Sequence, residues 1–112
     1  MTKTNNEPMM FRQGDVLITR VDRLPELATE LPRDKTRGVV LAEGEVTGHA
    51  HRITSRHAQL YRTEMDARYM RVTAPVALQH EEHSTVAIPP GDYRVTIHSE
   101  YQPGELPRQV AD

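Results

Sequence analysis

The chain has 112 residues, a formal net charge of −2 and no cysteine. That length makes one domain, which buries roughly 65% of its unfolded surface. The charge argues against a generally basic nucleic-acid binder, and the lack of thiols removes disulfides, thiolate zinc sites and cysteine nucleophiles together.

With one Phe and no Trp, the core must be built from Val, Leu, Ile, Met and Tyr. A core this thin leaves room for a metal or a second subunit to add stability. Residues 1–10, MTKTNNEPMM, are polar and without periodicity, and read as a flexible arm. The arm lacks the apolar stretch of a secretory signal. No apolar run approaches the roughly 20 residues of a membrane-spanning helix. A cytoplasmic location without membrane association is the expectation.

Residues 11–101 read as a β domain. In RQGDVLITRVDRL, Gly14-Asp15 marks a turn, and Val16, Ile18, Thr19 and Val21 continue a β-type run. PELATELPRDKT is bounded by Pro25 and Pro32, so it holds one helical turn at most, or a loop. RGVVLAEGEV, AQLYRT, RYMRVT, VALQH, STVAI and DYRVTIHSEY follow. Each is short, rich in β-branched or aromatic residues, and ended by Gly, Pro, Asp or Ser. That spacing predicts an all-β antiparallel barrel or sandwich. IPPGDY predicts a type II turn with Gly91 at positive φ. On the last run Tyr93, Val95 and Ile97 are expected to face inward, with Arg94, Thr96 and His98 outward. Residues 102–112 read as a polar tail. Arg52, Arg56, Arg62, Arg68 and Arg71 share one segment, opposed only by Glu64 and Asp66, and read as solvated strand surface.

Four of the six histidines fall into two pairs. In GEVTGHAHRI, residues two apart on a strand point to one side. His49 and His51 would then share a face with Thr47 and Ile53, and two imidazoles so placed can reach one ion. His80 and His83, in LQHEEHST, flank a turn between two strands and can converge in the same way. Glu81 and Glu82 add oxygen ligands, or a general base beside a metal. One site from His49, His51, His80 and His83 would suit Zn²⁺, Fe²⁺, Mn²⁺ or Ni²⁺. Three protein ligands would leave a catalytic position open, whereas four would close a structural site. His57 and His98 read as surface residues.

The order His-x-His on a strand, then a Pro-Pro-Gly turn and another strand, resembles the cupins, small β-barrels that often hold a divalent metal. Gly44, His49 and His51 match the first cupin motif. Its Glu has no counterpart between Ile53 and Ala58, and the histidine position of the second motif is Arg94. The resemblance therefore implies that His80, His83 or Glu82 completes the ligand set. RQGDVL, LAEGEVTGHAHRI, HEEH and PPGDYRV together are similar to a set of small uncharacterised bacterial and phage proteins, and no activity follows from that.

Three functions stay open. The first is a divalent-metal β-barrel that hydrolyses or isomerises a small molecule, with Glu81 or Glu82 as base. The second is a non-enzymatic assembly module, a homo-oligomer or accessory subunit. The third is a metal-independent ribonuclease using histidines as acid and base.

Overall fold

In the computed structural model, which describes residues 10–44 and 46–97, the short β-type runs become strands. These are β1 (Met10–Gln13), β2 (Val16–Val21), β3 (Thr29–Glu30), β4 (Val39–Glu43), β5 (Ala50–Ile53), β6 (Ala58–Arg62), β7 (Arg68–Val72), β8 (Val76–Leu78), β9 (Val86–Ile88) and β10 (Gly91–Ile97). All pairings are antiparallel, and no helix forms among the described residues. Among the described residues, no helix is long and apolar enough to cross a membrane. Of the expected arm only Met10 is described, where it opens β1; the expected tail, His98 and Tyr101 lie outside the described residues.

Six strands form one sheet in the order β1-β2-β10-β7-β6-β3, while β4–β5 and β8–β9 are separate hairpins. The sheet is open, with β1 and β3 as its edges. Period-2 alternation sets its inner face: Val16, Ile18, Ala58, Leu60, Met70, Val72, Tyr93 and Val95 are buried. The two hairpins cover that face with Val39, Leu41, Ile53, Val76, Leu78 and Ile88, and both sets form one core. The hairpins join through a backbone bridge, in which Arg52 N–H donates to Gln79 O at 2.9 Å and Gln79 N–H to Arg52 O at 2.8 Å.

Three local expectations change. PELATELPRDKT contains a two-residue strand, β3, which pairs with Tyr61 and Arg62 at the edge of β6. Gly91 has the expected positive φ, but at 156° it is far from the roughly +80° of a type II turn and begins β10. Tyr93 holds that corner: it is fully buried, and its hydroxyl donates to Pro89 O at 2.6 Å. Ile97, at the strand end, is 39% exposed despite sharing the inward parity of Tyr93 and Val95.

Candidate metal centre

Only three polar side chains among the described residues are buried, namely Gln13, His51 and His80, and all three meet in one place. A buried polar side chain is more informative than any exposed apolar one. His51 follows the inward parity of Ile53 on β5 and sits opposite Ala42, just past a register shift in β4. His80 and His83 leave the Arg52–Gln79 bridge on the turn between β8 and β9. The bridge therefore fixes the distance between the two histidine-bearing segments.

The rings are close. Centroids of His51 and His80 are 4.3 Å apart, those of His80 and His83 4.5 Å, and those of His51 and His83 5.7 Å. One nitrogen from each ring lies within 4.8 Å of the other two. Nitrogens placed tetrahedrally on one zinc ion are about 3.4 Å apart, so the three rings would have to draw together for the triad to hold an ion. His49 stands at the rim, its ring edge-on to His80 at 5.6 Å, with Nδ1 3.8 Å from a Glu82 carboxylate oxygen. His49, His80 and Glu81 make a second, overlapping group of potential ligands.

Hydrogen bonds assign the proton on His51. The Gln13 amide nitrogen donates to Leu78 O and to Ser84 O, each at 2.9 Å. Only an NH₂ group can serve two carbonyls. Gln13 Oε1 therefore faces the His51 Nδ1, 2.8 Å away, and must accept from it. With the proton on Nδ1, the neutral ring of His51 presents its Nε2 lone pair to the cluster. Such an outer hydrogen bond is how ligating imidazoles are oriented and made more basic.

His80 is held the other way. Its Nδ1 accepts from the backbone N–H of Glu82 at 3.0 Å and of His83 at 3.2 Å. The neutral ring then carries its proton on Nε2. A cation at that nitrogen would require the proton to move to Nδ1, with loss of the two amide bonds. The Nε2 atoms of His51 and His80 are both shut off from solvent.

Gly14 makes space for the cluster. It has φ 56° at the first position of the two-residue β1–β2 turn, the glycine position of a type II′ hairpin. A Cβ there would fall 2.7 Å from His83 Nε2 and 3.2 Å from His51 Cε1.

The two glutamates differ. Glu81 accepts from Ala50 N–H at 3.0 Å and from Arg52 at 3.1 Å. The Ala50 amide, with the Arg52 charge beside it, holds the Glu81 carboxyl below its usual range. Glu81 is thus a strut between the turn and β5, and a carboxylate so occupied is a weak base. Glu82 is 65% exposed and near His49. Arg94, at the cupin histidine position, is exposed on the outer face of β10.

Residues 12–104 match a protein family described as a domain of unknown function (DUF8820). The chain belongs to this family. No curated protein and no solved structure matches it. In this DUF8820 domain the histidine triad is assembled from β5 and the β8–β9 turn, while Gln13 and Gly14 reach it from the β1–β2 hairpin. Gln13 and Gly14 carry no local site signal, since Gln13 lies 38 residues from His51 in sequence. Gln13 does share the parity of half-buried Phe11 on β1, so an inward-facing polar side chain was its one trace.

Proposed function

We propose that the domain binds one divalent transition-metal ion through His51, His80 and His83, with His49 at the rim. The observation that carries this reading is the convergence of every buried polar side chain among the described residues on one three-imidazole cluster. Imidazole donors suit Zn²⁺, Fe²⁺ and Ni²⁺. The Gln13 carbonyl supplies the outer hydrogen bond expected of a ligating His51. His80 must move its Nε2 proton to Nδ1, so uptake is expected to break its two amide bonds, and competition by protons for the imidazoles should weaken binding in acid.

Three imidazoles leave coordination positions free, as in hydrolytic zinc sites. We extend the proposal to hydrolysis or isomerisation of a small molecule, with Glu82 as the carboxylate available for proton transfer. The metal-free ribonuclease reading is disfavoured, because the ring nitrogens of His51 and His80 that face the cluster are buried where a polynucleotide does not reach.

Elemental analysis of untagged protein purified without chelator tests the proposal, alongside His51→Ala and His80→Ala. About one metal per chain is expected, absent from both variants. At 100 times the dissociation constant the ion adds about 2.7 kcal/mol of stability, visible as a rise in Tm that the variants lack. No metal in the wild type, and no Tm response to Zn²⁺, Ni²⁺ or Mn²⁺, would remove the metal reading and favour an assembly module, tested by oligomeric state.

A further inference from the structure

A second site lies at the end of the domain where the six-stranded sheet parts from β4. A groove of about 430 Å³ opens there, with Leu31, Pro32, Val40 and Leu60 among its walls. Five charged residues also line it: Arg33, Asp34, Arg37, Glu43 and Arg68. Most of that charge is spent. Arg33 donates to the carbonyls of Ala58, Thr54 and Ser55. Arg37 pairs with Asp34 at 3.2 Å and with Glu43 at 3.0 Å.

Arg68 is different. It has the parity of Met70 and Val72, so its side chain enters from the inner face of the sheet. One guanidinium nitrogen donates to Leu41 O, at the register shift of β4. Among the described residues it has no carboxylate within ion-pair distance. A guanidinium carries five N–H donors in a planar fork that matches a carboxylate. Desolvation lowers the pKa of Arg68, and the charge of Asp66 nearby offsets only part of that effect. Arg68 is therefore a partly buried charge that, among the described residues, is bonded to a carbonyl and not to a carboxylate.

We propose that this groove binds a small monocarboxylate, its head on the Arg68 guanidinium and its apolar body against Leu31, Val40 and Leu60. The lining carries one positive charge in excess of its negative ones, which suits a single negative charge better than a phosphate dianion. The volume is in the range of small-molecule sites, roughly 300–1,000 Å³. The site shares no ligand residue with the histidine cluster, so the two proposals stand or fall separately.

The test is a titration of the full-length ¹⁵N-labelled protein with hexanoate, followed by backbone amide and arginine Nε–H resonances. Hexanol and inorganic phosphate serve as comparison probes. Hexanoate is expected to shift Arg68 Nε–H and the amides of Leu31, Val40 and Leu60 saturably, with hexanol silent and phosphate weaker. Arg68→Met should weaken hexanoate by at least about tenfold, the loss of a charge-assisted forked contact. Because Arg68 also holds Leu41 O, a second variant is needed. Val40→Glu leaves that bond in place, sets a like charge in the groove, and should abolish binding. No saturable shift, equal binding of hexanol, phosphate binding as tightly as hexanoate, or undiminished hexanoate binding in both variants would overturn the proposal.

Discussion

The inner face of the six-stranded sheet and the histidine end of the covering layer are buried to the same degree but held by different forces. On β2, β7 and β10 the buried side chains are Val16, Ile18, Met70, Val72, Tyr93 and Val95, and all but the Tyr93 hydroxyl is apolar surface. Across from them, His51 and His80 are 1% and 8% exposed; a hydrogen bond from His51 to Gln13 Oε1, and bonds from Glu82 N–H and His83 N–H to His80, set their orientation. Apolar burial is non-directional and scales with area, so the sheet supplies stability and tolerates exchange among similar shapes. A buried polar network is directional, and losing one member leaves the others unsatisfied. The sheet should therefore respond to volume, and the histidine end to single hydrogen-bonding atoms.

The largest expected effect is on the sheet. Ile18 is fully buried at the centre of β2, paired with Phe11 on one side and Val95 on the other. Ile18→Ala should cost about 2–5 kcal/mol in urea unfolding, while metal content per folded chain stays at the wild-type value. Loss of metal in Ile18→Ala at full retention of fold would show that the two regions are one unit, and would break the comparison.

Gln13→Leu tests the other side with a smaller effect on stability and a larger one on binding. It keeps volume and burial but removes the acceptor for His51 Nδ1 and the donors to Leu78 O and Ser84 O. A cost of about 1–3 kcal/mol follows from the orphaned buried groups. Metal affinity should fall about 10–100-fold, as it does when an outer-shell partner is lost. A competition titration against a chromophoric chelator measures this. Affinity unchanged in Gln13→Leu would mean that packing alone orients His51.

These contrasts also explain what could be read in the chain. The sheet was legible because each strand repeats a local rule: AQLYR, RYMRV and DYRVTI alternate inward and outward, and the structure follows that alternation. The convergence of the two histidine pairs was legible as spacing, and the structure brings His51, His80 and His83 together with His49 at their rim. Partners distant in sequence were not legible. Gln13 reaches Ser84 across 71 residues, and no local pattern encodes that contact. Glu81 read as a base, but in the fold Ala50 N–H and Arg52 occupy its carboxylate. Arg68 read as solvated surface, yet its inward parity, shared with Met70, carries it under β4.

The smallest effect sharpens the comparison by pH, at the turn that launches β4. The Asp34 carboxylate accepts from Arg37 N–H and Thr36 N–H, each at 2.9 Å, and from the Thr36 hydroxyl at 3.0 Å. These bonds, the Arg37 amide first, hold its pKa far below the ordinary carboxylate value. A carboxyl whose pKa is depressed by folding stabilises the folded chain at all pH values above its unfolded pKa, about 3.9 for Asp. That contribution fades as pH falls from there toward the folded pKa, because the unfolded chain takes up the proton first. Asp34→Asn removes the titration while leaving an oxygen to accept the amide bonds. The variant should melt slightly below the wild type at pH 7, and the gap should narrow as pH drops below about 4. Metal content at pH 7 should be unaffected, because the turn acts on the start of β4 and touches no histidine. A gap that stayed constant from pH 7 to pH 3 would mean that Asp34 acts only through the shape of the turn.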